Sequence, residues 1–148
     1  MEAVIFCGIQ GSGKSTFFKE RFFRTHVLVS LDVLRTRRRE QIFLTACLGS
    51  RQRFVVDNTN PTQADRAVYI EAAREKKFTV ACYYFASSIE DALARNALRS
   101  GKAYVPYAAI RKTMDKLEPP SLSEGFDALY QVTIEDGEFV VCERHEAM

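Results

Sequence analysis

The chain has 148 residues, 47% hydrophobic and 27% charged, with a formal net charge of +2. These values belong to an ordinary globular protein rather than to a disordered one, and no apolar run is long enough to span a bilayer. A charge this close to zero gives no argument by itself for nucleic-acid binding, and the four widely spaced cysteines, Cys7, Cys47, Cys82 and Cys142, read as buried free thiols rather than as a disulfide framework or metal site.

The length suits a single domain over 1–148, with roughly 70% of the unfolded surface buried on folding. No basic segment or cleavage site precedes the first apolar run, so cytoplasmic residence is the expectation. That run, Ala3 to Cys7, suits a buried parallel strand. It leads into Gly8 to Ser15, which reads GIQGSGKS, is followed by Thr16, and fits G-x-x-x-x-G-K-[ST], the loop that wraps a nucleotide's phosphates between a strand and a helix. Gly8, Gly11 and Gly13 let the backbone take positive φ and turn N–H groups toward phosphate oxygens. Lys14 supplies a cation for the β- and γ-phosphates, and Ser15 a hydroxyl for Mg²⁺. The helix expected over Thr16 to Arg24 puts the anion at a positive dipole end.

Val27 to Val29 reads as a second strand, which places Asp32 at the sheet edge where open α/β proteins keep their chemistry. Asp32 is either the N-cap of a helix running on through Cys47 or a carboxylate facing the reacting centre. Arg37, Arg38 and Arg39 read as a solvated face, whereas Arg35 can share the side of Asp32. A third strand, Phe54 to Val56, runs into Asp57-Asn58-Thr59-Asn60. Asn60 is expected to cap a helix with Pro61 at its first position and Gln63 reaching back. Asp57 either meets Mg²⁺ or its waters, or orients an arginine.

Ala64, Ala67, Val68 and Ala72 mark the apolar face of that helix, and Thr79 to Phe85 a fourth strand. Ser87 with Glu90 predicts a capping box for a helix whose apolar face is Ile89, Ala92, Leu93 and Ala97. Arg95 and Arg99 lie four apart and can point the same way; either they are a solvated face or they belong to a small lid over about 95–106, the reading preferred here. Val105-Pro106 begins a helix carrying Ile110, Met114 and Leu117. Phe126 to Ile134 reads as a fifth strand, Asp136-Gly137 as the turn of a tight hairpin reaching Cys142, and the last residues as frayed.

Strand with P-loop, strand ending at an aspartate, strand ending in a polar cluster, then an arginine-bearing lid: in this order the chain resembles the P-loop polynucleotide kinases, which move the γ-phosphate of ATP to a 5′-hydroxyl end of DNA or RNA. The specific parts are GSGKST at Gly11 to Thr16, DNTNP at Asp57 to Pro61 and RNALR at Arg95 to Arg99. PPSLSEGFDAL, Pro119 to Leu129, is similar to the end of the kinase domain in animal DNA 5′-kinase/3′-phosphatases, although no phosphatase motif of the D-x-D-x-[TV] type is present. Ser30-Leu31-Asp32 departs from the N-R-D of several members and is closer to the S-x-D of some bacterial repair-associated kinases.

The resemblance implies a three-layer α/β P-loop NTPase fold with a five-stranded, mostly parallel sheet, helices on both faces, a lid and a C-terminal β-hairpin. It implies ATP or another nucleoside triphosphate, with Mg²⁺, held by Gly11, Ser12, Gly13, Lys14, Ser15, Thr16 and Arg95. Asp32 would be the general base on the acceptor hydroxyl and Arg99 a lid residue on the transferred phosphate. On the acceptor side would stand Arg35, held by Asp57, with Asn58 and Thr59. Two rival readings remain: a kinase of a small hydroxylated metabolite, and a non-catalytic nucleotide-binding module, disfavoured because such a switch would not need Asp32 and because N-K-x-D is absent.

Overall fold

A computed structural model describes residues 1–145; the frayed end expected from the sequence falls largely outside them. In chain order the elements are β1 (Glu2–Cys7), α1 (Lys14–Arg21), β2 (Val27–Val29), α2 (Leu31–Leu34), α3 (Arg37–Gly49), β3 (Phe54–Val56) and α4 (Gln63–Glu75). Then follow β4 (Thr79–Phe85), α5 (Ile89–Ala97), α6 (Tyr107–Lys116), β5 (Ala128–Glu135) and β6 (Glu138–Arg144), with 3₁₀ turns at Gly101–Ala103 and Leu122–Glu124. No helix among the described residues is long and apolar enough to cross a membrane.

The sheet order is β2-β3-β1-β4-β5-β6. The first five strands pair in parallel, as the sequence suggests. The second arm of the hairpin joins the same sheet as a sixth, antiparallel strand, so the sheet is one strand wider than expected. Asp136 and Gly137, at φ 51° and 77°, form the turn between them, the left-handed pair that a tight hairpin requires.

Alternation along β1 builds two cores. Ala3, Ile5 and Cys7 face Leu44, Tyr69, Ile70 and Ala73 of α3 and α4. Val4 and Phe6 face Phe17, Phe18 and Phe22, whose cluster is closed by Phe85 and by Phe139 of the hairpin. Phe17 stands edge-on to Phe139 at 5.1 Å and to Phe85 at 5.3 Å, a geometry that adds about 0.5–1.5 kcal/mol per pair beyond burial. A smaller cluster of Ile9, Ala92 and Ile110 seats α5 and α6 over the P-loop end of the sheet.

Several local expectations move. α1 ends at Arg21, and Phe22 becomes its C-cap. The helix expected from Asp32 to Cys47 is two helices, because Arg35 leaves the helical region at φ 76° and Thr36 starts α3 by accepting from the Arg39 N–H. Asp32 is not a cap: Ser30 accepts from its N–H at 3.2 Å. Nor does Asn60 cap α4. Thr62 does, in a capping box with Asp65, and Ser88 with the Asp91 N–H replaces Ser87 with Glu90. The inward face of α4 is Arg66, Tyr69, Ile70 and Ala73, while Ala64 and Val68 are exposed. The rotation follows from Arg66, which lies fully buried against Glu124. In α5 Asn96, not Ala97, turns inward. Cys7, Cys47 and Cys82 are buried free thiols as expected, but Cys142 is exposed on β6.

Candidate active site

Parallel pairing of β2, β3 and β1 brings their C-terminal ends side by side, which collects Asp32, Asp57 and the P-loop at one edge. There a cleft of about 870 Å³ is lined by Lys14, Ser15, Asp32, Arg35, Asp57 and Arg99, with Asn58 and Thr59 in its wall.

The glycines of the loop are set by conformation and by crowding. Gly11 and Gly13 have φ of 80° and 97°, and a Cβ on Gly11 would stand 2.5 Å from the Ala92 carbonyl oxygen. Gly8 has no positive φ; its requirement is steric, since a Cβ would meet that of Phe85 at 2.9 Å. No side chain caps α1 behind Gly13, so the N–H groups of its first turn are left for an anion. Ser12 Oγ and Gln10 Oε1 are buried without a hydrogen-bond partner among the described residues. Open donors, the unpartnered Ser12 hydroxyl and a crowded glycine loop fit the phosphates of a bound nucleotide.

Lys14 folds back, its Nζ donating to the carbonyl oxygens of Gly8 and Ile9 at 3.0 Å each. Burial holds its pKa below the usual lysine value, with the Asp57 carboxylate opposing that shift. Asp57 moves the other way: burial raises its pKa, partly offset by Lys14 and by a 3.0 Å hydrogen bond from Ser15 Oγ. A hydroxyl and a carboxylate this close suit Mg²⁺, which takes few protein oxygens and leaves the rest of its sphere to water and substrate phosphates. Among the described residues no group of three or more His, Cys, Asp or Glu could hold a metal by itself.

Every residue of Asp57 to Asn60 ties one element to another. Asp57 meets Ser15, and the Thr59 carbonyl accepts from the Gly8 N–H at 3.0 Å. Asn60, at φ 44°, donates to the Phe6 carbonyl at 2.8 Å. Asn58 does not offer its amide to the cleft. Its Oδ1 accepts from the Leu31 N–H at 3.0 Å, and its Nδ2 donates to Glu40 Oε2 at 2.8 Å. Asp57 forms no ion pair with Arg35; among the described residues its hydrogen bond is to Ser15.

Behind this segment sits a buried pair that sequence reasoning missed. Arg66 grips both oxygens of Glu124 at 2.8 and 3.0 Å, and its third nitrogen donates to the Asn60 carbonyl at 2.9 Å. The bidentate pairing satisfies two charges that burial would otherwise penalise. Nothing near Arg66 in sequence announces it; only the inconsistency of a charge on the apolar side of α4 could have.

Arg95 and Arg99 do not act from one face. Arg95 lies on α5 and donates to the Gly11 carbonyl and to Ser87 Oγ at 3.1 Å each. Arg99 lies past the helix end and reaches the cleft, its Nη1 3.4 Å from the Ala103 carbonyl. Buried Asn96 closes the base of the intervening loop by accepting from the Val105 N–H at 2.9 Å and donating to the Val105 carbonyl at 2.6 Å.

A sequence profile described as an AAA domain matches residues 40–120, over half of the chain. A bifunctional polynucleotide phosphatase/kinase of Schizosaccharomyces pombe is 28% identical over 135 residues, covering 88% of this chain and 33% of the relative. The chain thus spans about a third of the length of that relative. Among solved structures, a gluconokinase from Sinorhizobium meliloti superposes with a TM-score of 0.61 at 18% identity, covering 89% of this chain and 82% of that one. Chaetomium thermophilum Kti12, in complex with ADP-AlF3, gives 0.65 at 16% identity, covering 92% and 91%. Likeness at these identities speaks for the fold, and the profile for the family: the chain belongs to the AAA domain family and has the fold of the P-loop kinases.

Proposed function

We propose that the chain transfers the γ-phosphate of ATP to a 5′-hydroxyl end of DNA or RNA. One observation carries the reading: a single cleft is lined by the P-loop cation Lys14, the Ser15–Asp57 pair, a second carboxylate at Asp32, and Arg35 and Arg99. The relative from Schizosaccharomyces pombe, a bifunctional polynucleotide phosphatase/kinase, supports the choice of acceptor.

In this reading Lys14 turns from the loop carbonyls to the β- and γ-phosphates, Thr16 and the α1 N–H groups hold phosphate oxygens, and Arg95 keeps the loop in place from behind. Ser15 and Asp57 hold Mg²⁺, which when bound supplies positive charge to the phosphates. A carboxylate oxygen of Asp32 takes the proton of the acceptor hydroxyl as its oxygen attacks. Arg35 pairs with a phosphate of the acceptor, Thr59 lines the wall beside it, and Arg99 neutralises charge on the group in flight. Most of the catalysis is positioning and electrostatics.

The likeness to a gluconokinase, over 82% of that chain, keeps one rival in play, a small hydroxylated acceptor. The deciding experiment is transfer of labelled γ-phosphate to a graded series: gluconate and simple sugars, nucleoside, nucleoside 3′-phosphate, and 5′-hydroxyl DNA and RNA oligomers. The proposal expects the oligomers and the 3′-phosphate to be labelled far better than the bare nucleoside. Arg35→Ala should remove that preference, at a cost of about 1.5–3 kcal/mol for a hydrogen bond to a charged group. Labelling of a sugar with oligomers inert would hand the site to the metabolite reading, and nucleotide binding with no acceptor labelled would leave a binding module.

A further inference from the structure

Asp32 stands on α2, a helix of four residues with none buried, and Arg35 is its C-cap. One turn of helix cannot hold itself in water, so something outside it must fix its place. Two side chains bond its first turn: Ser30, which accepts from Asp32, and Asn58, which accepts from Leu31.

The Asn58 amide is polarised from behind. Its Nδ2 donates to Glu40 Oε2 at 2.8 Å and lies 3.3 Å from the Tyr69 hydroxyl. Glu40, one turn into α3, is 5% exposed. Its Oε1 accepts from Tyr69 at 2.9 Å and from Arg37 at 3.0 Å. A carboxylate so placed admits only donors, so the amide must turn its NH₂ toward Glu40 and its oxygen toward the Leu31 N–H. Burial and the bond to Glu40 push the Tyr69 phenol up to about 12, which keeps its proton in that bond.

We propose that Glu40, Tyr69 and Asn58 form a positioning relay that sets the height and angle of the turn carrying Asp32 and Arg35. A buried carboxylate on the first turn of α3 thereby fixes the acceptor side of the cleft without touching it. The inference rests on the reading of Asp32 and Arg35 as acceptor-side residues. None of the three relay members is a catalytic residue; each acts through the Leu31 N–H.

The relay has a polarity, and polarity can be reversed. Asn58→Asp alone sets two carboxylates against each other, and Glu40→Gln alone must set its NH₂ against either the Asn58 NH₂ or the Arg37 guanidinium. The double variant restores the bond with the donor on the other side, while the carboxylate introduced at position 58 still accepts from the Leu31 N–H. The readouts are hydrogen exchange at the Leu31 amide, kcat, and ATP affinity measured by direct binding.

Each single variant is expected to speed Leu31 exchange and lower kcat about tenfold with ATP affinity within about twofold, and the double variant to recover most of both. Tyr69→Phe, which leaves the ring packing intact and tests the relay should Asn58→Asp fail to fold, should give a smaller loss in the same direction. Fast Leu31 exchange in the wild type, unchanged kcat in the singles, or a double variant no better than the worse single would overturn the relay. If the wild type labels no acceptor, the phosphotransfer reading fails by itself. Leu31 exchange across the same cycle then decides the relay.

Discussion

The P-loop and the segment after α5, proposed as a lid, line the same cleft and are built in opposite ways. Around the P-loop every degree of freedom is taken up: Gly11 lies under the Ala92 carbonyl, Arg95 donates to its oxygen, and Asn60 and Thr59 brace the strand end beneath. Beyond α5 the chain is open. Leu98 is 89% exposed, and a Cβ on Gly101 would meet nothing within 4 Å. The lid is held at its base by Asn96 and Val105, and Arg99 crosses it to the Ala103 carbonyl. A loop that wraps a phosphate must be preorganised, because donor directions are the catalyst; a lid has to let substrates pass. On the proposed reading, rigid packing on one side and a clipped loop on the other would meet these two demands, with one helix, α5, contacting both.

The largest expected effect is at the rigid end. Lys14→Met should cost about a hundredfold or more in transfer, the usual loss for one transition-state electrostatic partner. The same variant removes a buried charge but also the cation that offsets Asp57 and the donor to the Gly8 and Ile9 carbonyls, so its stability relative to the wild type is informative in its pH dependence. The sign follows from the depressed pKa. Such a group contributes stability that is fully present above the ordinary value of 10.5 and is lost as pH falls through the folded value. The stability of Lys14→Met relative to the wild type should therefore be highest near pH 7 and fall as pH rises toward 10.5, where the wild type sheds the penalty by deprotonating. Thermal melts of both proteins across that range, with labelled transfer at pH 7, check both halves.

A matched pair of glycine substitutions sharpens the contrast. Gly11→Ala forces a side chain into φ 80° and 2.5 Å from a backbone oxygen that cannot swing aside. Strain and overpacking together put its cost at about 2–5 kcal/mol. Gly101→Ala meets only the conformational term, about 1–2 kcal/mol or less where the loop can adjust. Denaturant unfolding of the two variants should separate them by at least about 1 kcal/mol. Equal losses would mean that the lid is as tightly built as the P-loop.

Much of the donor side was legible in the sequence because its chemistry is contiguous. A strand, a glycine loop with lysine and serine at fixed offsets, and a helix determine each other's geometry, and Asp32 and Asp57 follow from strands that end at the same edge. What could not be read depends on partners far apart in the chain. Arg66 reaches Glu124, Asn58 reaches Glu40, and Asn96 reaches across the lid to Val105. Arg66 and Asn96 are polar residues turned inward where periodicity expects apolar ones, which is why the inward faces of α4 and α5 differ from the expected ones. The caps are a different matter. Thr62 with Asp65 and Ser88 with Asp91 each fit [ST]-x-x-[DE], and Thr36 is itself a cap former, so those boundaries were written locally and overlooked.

The last expected effect decides whether the two regions are separable. Asn96 is buried and makes both hydrogen bonds to Val105, so Asn96→Ala should cost about 1–3 kcal/mol for the backbone groups it leaves unpaired, less if water reaches them. Arg95 sits one residue earlier and keeps its bond to Gly11, so the P-loop should not notice. The expected signature is a fall in kcat of about tenfold with ATP affinity almost unchanged, since Arg99 loses its frame while the donor site keeps its own. Asn96→Asp, which still accepts from the Val105 N–H but sets a buried carboxylate against its carbonyl, should lose at least as much as Asn96→Ala. Direct nucleotide binding and single-turnover transfer on both variants read the split. A parallel fall in ATP affinity would show that the lid and the P-loop move as one body through α5, and the division of labour between them would have to be abandoned.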